Sequence, residues 1–307
     1  MENKFNIEQN IQFICQEFHL ENNQKIKDLY NHLWLPLTLH LAKKFRAKSQ
    51  PLLVGILGSQ GTGKTTLTKI LKYLLSHINL SSVTISLDDF YKTYAQRKAL
   101  EKFDPRLIWR GPPLTHDVPL ALEVLTSLLQ SQPVVIPRFD KSLHEGKGDR
   151  ISTSDKITDK VDIIFFEGWF VGVKPIPEDK FKNPPHPIVT EADKKFAQDN
   201  NQRLKEYLPL WELIDYQIIL YPSDYRYSLP WRQEAEEKMK AQGKTGMNEK
   251  EIKEFVEYFW KTLHPKLFIT PLVNNSSKRD SLIIKIDQDH FCTDYMIRNI
   301  IDSSKNS

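Results

Sequence analysis

Apolar residues recur along this chain at two spacings, and the alternation between them predicts its architecture. Over the first fifty residues the spacing is helical: Ile7, Ile11, Ile14 and Cys15, then Phe18, followed by a second stretch from Leu33 to Phe45. That stretch ends in the basic residues Lys43, Lys44, Arg46 and Lys48. Pro51 then opens a short unbroken apolar run, Leu52 to Leu57, and similar runs follow at Val83–Leu87, Ile163–Phe166, Tyr216–Tyr221 and Leu282–Ile286. Short unbroken runs are what strands buried on both faces of a parallel sheet require; a strand with one wet face would alternate. Helical faces lie between them. Leu67, Ile70, Leu71 and Leu74 form one; Leu120, Val124, Leu125 and Leu128 form another, with Asp117 placed to cap it and Pro119 in its first turn. Strands alternating with helices predict an α/β fold, a mainly parallel, doubly wound sheet with helices on both faces. Residues 1–50 read as a helical extension packed on a main domain, 51–307.

Two segments break the rhythm. Residues 173–190 hold Pro175, Pro177, Pro184, Pro185 and Pro187, which exclude a regular helix and predict a surface excursion. Residues 241–248, AQGKTGMN, predict a loop between two helices.

Composition narrows the picture. In 307 residues, 40% apolar content is enough for a core, and the net charge of +4 is a mild surplus that suits anionic small ligands. The Lys and Arg residues are dispersed, so nucleic acid is not an expected partner. The two cysteines, Cys15 and Cys292, are far apart and form no metal or redox motif, which fits a reducing compartment. The start, MENKFNIEQN, has neither the basic opening and apolar run of a signal peptide nor the Arg/Ser-rich character of a transit peptide. No run approaches the roughly 20 apolar residues that span a membrane. A cytoplasmic protein is expected, with no membrane partner. Oligomeric state is not legible.

The chemistry begins at Gly58-Ser59-Gln60-Gly61-Thr62-Gly63-Lys64-Thr65, which fits G-x-x-x-x-G-K-[ST] between a buried strand and an amphipathic helix. Glycines let several backbone N–H groups converge on one phosphate, and the helix N-terminus adds partial positive charge. ATP is therefore expected along Gly58–Thr65, with Thr66 beside it. Lys64 is expected at the β- and γ-phosphates and Thr65 at Mg2+.

Asp88 and Asp89 follow the strand Val83–Leu87, at the carboxyl end where ligands bind in such sheets. One is expected to do chemistry and the other to cap the turn. Asp88 is favoured for chemistry, either taking a proton from an attacking hydroxyl or holding Mg2+ through water. Ile163–Phe166 ends in Glu167-Gly168, a Walker B-like strand whose acid would face Thr65 and Mg2+. Asp162 stands at the opposite end of that strand and reads as structural.

Between these strands lie basic clusters: Arg110 in RGPPLTHD, then Arg138, Asp140 and Lys141, then Arg150 after the glycine-broken stretch GKGDR. They read as loops over an anionic substrate, or as solvated surface; His116 reads as a substrate contact or a turn-stabilising residue. Farther on, Arg232 in Trp231-Arg232-Gln233-Glu234 is the candidate lid arginine, with Arg226 in reserve. Ordinary pairing with Glu234, Glu236 or Glu237 on the same helix is the alternative.

In order, GSQGTGKTTL, SLDDFY, RGPPLTHD, IPRFDKSLHEGKGDR, FFEGWFVG, WRQEAEEKM and TGMNEKEIKEFV resemble the phosphoribulokinase, uridine kinase and pantothenate kinase group. Within it they are most similar to the D-glycerate 3-kinases of the plant and cyanobacterial type. The resemblance covers about Leu52 to Ile286. It implies a P-loop kinase domain with substrate loops at about 104–150 and a helical lid at about 223–262. It implies ATP-dependent phosphorylation of D-glycerate with Mg2+, Asp88 as base, and Lys64 and a lid arginine stabilising the transferred group. Other acceptors (a nucleoside, pantothenate, a sugar phosphate) and an ATP-binding regulator without an acceptor are the competing expectations.

Overall fold

Eight strands organise the computed structural model, which describes residues 6–241, 246–274 and 280–298. They are β1 Leu52–Gly58, β2 Ser82–Ser86, β3 Val134–Asp140, β4 Asp149–Ile157, β5 Ile163–Gly168, β6 Tyr216–Pro222, β7 Ser281–Ile286 and β8 Cys292–Arg298. Six form one sheet in the order β2-β5-β1-β6-β7-β8. The first five run parallel, and β8 pairs antiparallel with β7. The expected runs at Leu52, Val83, Ile163, Tyr216 and Leu282 are these five parallel strands. β1 and β5 are buried at every residue, as unbroken apolar runs require. Their register sets Ile56 opposite Glu167, so the Walker B-like acid comes out beside the P-loop.

Two apolar layers sandwich the sheet. On one face Leu53, Leu57, Ile85 and Phe166 pack with helices Val118–Leu129, Glu191–Arg203 and Leu208–Glu212. On the other, Val54, Ile56 and Ile218 pack with helix Lys64–Ser76 and with Ile14, Tyr30 and Leu41 of the N-terminal helices. Leu41 is fully buried in that layer. Leu41→Ala is expected to cost about 2–5 kcal/mol, read as a lower denaturant midpoint in urea melts of the whole chain.

Three expectations change. The loop expected around GKGDR is only the tip of an antiparallel hairpin, since Asp149–Ile157 is β4, paired with β3 apart from the main sheet. β8, not anticipated, closes the sheet with an exposed edge carrying Tyr295, Met296 and Ile297. The proline-rich stretch is not merely a surface excursion. It holds no α-helix, as expected, but Val173, Phe181 and Ile188 are buried in the core. Of the loop expected at 241–248, residues 242–245 lie outside the described residues. Asp162 does hold the far end of β5, accepting from Ser81 N at 2.8 Å.

Candidate active site

The P-loop bridges β1 and helix Lys64–Ser76. Gly61 and Gly63 have φ of +83° and +84°, left-handed values that a side chain would strain. Gly63 is the residue on which the helix starts, so the first helical N–H groups open toward the loop's hollow. Lys64 Nζ crosses that hollow, donating to Gly58 O at 2.8 Å and Ser59 O at 3.1 Å. Thr65 and Thr66 sit in the first helical turn. The Thr65 hydroxyl donates to Glu167 Oε1 at 3.1 Å. The other Glu167 oxygen is buried without a partner. Burial pushes the Lys64 ammonium down, opposed by Glu167 and Asp88; burial pushes the Glu167 carboxyl up, opposed by Lys64.

The two aspartates after β2 part company in a short turn, Leu87–Phe90. Ser86 caps it and Asp89 closes the capping box: the Asp89 Oδ2 accepts from Ser86 N at 3.0 Å and pairs with Arg138 at 2.6 Å. Asp88 instead points into the site. Lys141 Nζ lies 2.6 Å from its Oδ2, and the Tyr91 hydroxyl donates to it. Burial works to raise the Asp88 carboxyl, but Lys141, with smaller contributions from His116 and Tyr91, holds it at about 2.

His116 is packed behind them, its ring stacked on Tyr91 at 4.5 Å. Tyr207 Oη accepts from Leu114 N at 3.1 Å and lies 2.9 Å from His116 Nδ1. Burial depresses the imidazole pKa to about 3, and its Nε2 is buried without a partner.

The expected substrate residues divide. Lys141 pairs with Asp88, and Arg110 acts on the neighbouring Tyr91 hydroxyl. Arg110 Nη1 donates to Gly146 O at 2.5 Å, and its Cζ lies 5.8 Å from the Phe139 ring centroid. Arg138, Asp140 and Arg150 are committed elsewhere. Arg138 ties Asp89 to Asp155 across the hairpin. Asp140 accepts from Ser142 N at 2.8 Å. Arg150 donates to Tyr91 O at 2.7 Å and Asp117 at 3.0 Å. These three hold the hairpin and the Tyr91 turn in place, because a partly buried guanidinium is stable only when its donors are satisfied. Arg232 pairs with the buried Glu236 on its own helix, Ser228–Ala241, and lies 4.9 Å from the Phe255 ring centroid. Arg226 pairs with Asp224.

Sequence reasoning missed the aromatic wall facing the P-loop. Trp231 packs on Gly61 and stacks on His290, whose Nδ1 lies 2.7 Å from Gly61 O. Phe259 rests on Gly111, and Trp169 donates to Gly111 O at 3.1 Å. The available signal was Phe255 and Phe259, one turn apart on helix Glu249–Thr262.

A phosphate loop at the carboxyl end of β1, an acid from the neighbouring strand and an ionised aspartate after β2 together define a P-loop kinase. A model of the phosphoribulokinase/uridine kinase family matches residues 53–176, and the chain belongs to that family. The chloroplastic D-glycerate 3-kinase of Arabidopsis thaliana is 33% identical over 278 residues, covering 83% of this chain. This chain spans 59% of the length of that relative. The uncharacterized kinase mug58 of Schizosaccharomyces pombe is 33% identical over 227 residues, covering 71% of this chain and 82% of its own. Among solved structures, a D-glycerate 3-kinase from Cryptococcus neoformans superposes with a TM-score of 0.76 at 29% identity, covering 85% of this chain and 97% of that one.

Proposed function

We propose that this chain transfers the γ-phosphoryl group of ATP to the 3-hydroxyl of D-glycerate, giving 3-phosphoglycerate and ADP. The observation that carries the reading is the Asp88–Lys141 pair beside the P-loop. An ionised carboxylate there takes the hydroxyl proton, and Lys141 with Arg110 supplies cations for the acid's carboxylate. Lys64 meets the β- and γ-phosphates, and Arg232 serves from the lid formed by helices Ser228–Ala241 and Glu249–Thr262. Thr65 and Glu167 are the residues to hold Mg2+; the unpartnered buried Glu167 oxygen fits a cation or its water. Mg2+ neutralises charge on the phosphates when bound. The similarity to two proteins named D-glycerate 3-kinase supports the acceptor.

A nucleoside acceptor needs free rings on which to stack. Tyr91 packs against His116 and Phe139, and Trp109 against Phe255 and Tyr258, so these rings beside the substrate loops are already engaged. Among the described residues no helix is long and apolar enough to cross a membrane. The cytoplasm is our inferred compartment, supported by two free cysteines.

The test is ADP release from Mg2+-ATP with D-glycerate, uridine, pantothenate or ribulose 5-phosphate, and the product identified by NMR. Turnover confined to D-glycerate supports the reading; ATP binding without turnover of any acceptor overturns it.

The pH dependence follows from the pair. With Asp88 at about 2, it is already ionised at neutral pH, and kcat/KM should show no acid limb from this group above about pH 4. Lys141→Met removes the main force lowering it and leaves burial, which acts upward. The acid limb should therefore move to higher pH, as a pH–rate profile of the two enzymes would record.

A further inference from the structure

Glu236, on helix Ser228–Ala241, is a carboxylate only 2% exposed. An Arg/Glu pair four residues apart is ordinary on a helix surface, but a buried carboxylate is costly unless both oxygens are engaged. Oε1 receives Arg232 Nη2. Oε2 accepts from Met247 N at 3.0 Å, where the chain enters helix Glu249–Thr262. Gly246 makes room for this contact, since a Cβ there would lie 2.7 Å from the same oxygen. Apolar residues of similar volume hold two helices together as well as a buried ion pair does. What the carboxylate adds is direction.

Arg232 is fixed from two sides. Glu236 sets the direction of its guanidinium, and the Phe255 ring, whose centroid lies 4.9 Å from Cζ, sets its plane. Its Nε is buried without a hydrogen-bond partner, a donor that this arrangement leaves open. The residue before it, Trp231, packs on Gly61, so Arg232 leaves the helix beside the phosphate loop. Phe255 and Phe259 also reach the loop around Arg110: the Phe255 ring lies 5.4 Å from that of Trp109, and Phe259 rests on Gly111. Burial works against the Arg232 charge, Glu236 supports it, and Arg110 opposes it. Two guanidinium groups brought near each other on separate elements favour an anion between them.

We propose that Glu236 is a positioning residue for phosphoryl transfer, holding Arg232 toward the transferred group and tying that direction to the seating of helix Glu249–Thr262 on the loop of Arg110. The inference rests on the role given to Arg232 above and not on the identity of the acceptor. Glu236 touches no reacting atom. It acts through Arg232, so its loss should appear in transfer and in recognition of the γ-phosphate, and not in the binding of ADP.

The first variant is Glu236→Gln, which keeps the shape and an oxygen for Met247 N but leaves Arg232 without its anion. With Mg2+-ATP and D-glycerate, kcat should fall by about tenfold to a hundredfold, the scale of a misplaced catalytic group, while the KM for D-glycerate stays within about threefold. Calorimetric titration needs no acceptor: affinity for Mg2+-AMP-PNP should fall at least about fivefold relative to that for Mg2+-ADP, because only the former carries a γ-phosphate for Arg232 to meet. Both losses should vanish in an Arg232→Met background, where nothing is left to position. A residue that only held the helices together would lower both backgrounds alike. Glu236→Met, an apolar replacement of similar volume, is the second variant. Thermal melts show which is folded, and either one suffices.

If a folded variant keeps kcat within about twofold of wild type, or loses as much again in the Arg232→Met background, the inference is overturned and the glycerate reading stands. Loss of the fold in both variants would make Glu236 a structural residue and overturn it as well. If the wild-type enzyme does not turn over D-glycerate, the acceptor reading fails, and the nucleotide titrations decide the inference by the same comparison.

Discussion

Asp88→Asn is expected to lower kcat by about 10²–10⁴ while leaving ATP affinity within a few-fold, because it removes the general base and its ion pair with Lys141 but no P-loop group. The substitution is nearly isosteric, and the amide oxygen can still accept from Tyr91. The turn that carries residue 88 is held by its neighbour: Asp89 caps Ser86 N and pairs with Arg138. What the amide lacks is the capacity to take a proton. ATP contacts belong to Gly58–Thr66, on a different element, so nucleotide titration should report a nearly unchanged constant. Single-turnover kinetics with D-glycerate, beside calorimetric ATP titration, separates the two. A kcat within tenfold of wild type would leave proton removal to another group and sink the role. Asp89→Asn is the informative contrast. It weakens the cap and the Arg138 pair, so its loss should appear in thermal stability as well as in rate.

That contrast marks where sequence reading stops. Two adjacent aspartates after a strand say that a carboxylate reaches the crevice. Which one does so depends on the turn, and the turn depends on Ser86 and on Arg138, far along the chain. The same limit explains Arg138 and Arg150. Their charge is visible in sequence, but their partners Asp155 and Asp117 come from other elements. A basic residue whose partner is remote is indistinguishable from one that waits for substrate.

The strands show the complementary case. β1, β5, β6 and β7 were legible because burial on both faces demands unbroken apolar runs. β4 reads Asp-Arg-Ile-Ser-Thr-Ser-Asp-Lys-Ile and lies in a two-stranded hairpin largely open to solvent, so no core imposes a pattern on it. The aromatic wall escaped for another reason. Phe255 and Phe259 look like an ordinary core stripe on helix Glu249–Thr262. Only the packing of Phe259 on Gly111 and of Phe255 beside Arg232 shows that the stripe faces the site.

Lys64→Met should lower kcat/KM for ATP by about 10²–10³, the scale of losing a preorganised donor aimed at developing charge. The lysine is held for this task before nucleotide arrives. Two of its three donors are engaged by Gly58 O and Ser59 O, which fixes Nζ over the hollow of the loop. Burial works against its charge, and Glu167 and Asp88 oppose that pressure, so the cation depends on the two acids that flank the reacting phosphate. Methionine keeps the length and loses both charge and donors. Lys64→Arg keeps the charge but replaces a compact ammonium with a planar fork, which cannot meet the same two carbonyls from the same stem. Its loss should approach that of methionine. Because the contact is to the β- and γ-phosphates, ATP affinity should fall more than ADP affinity in both variants. Titration of each nucleotide checks this, and an arginine variant with near wild-type kcat would show that charge alone, without the two-carbonyl seat, is enough.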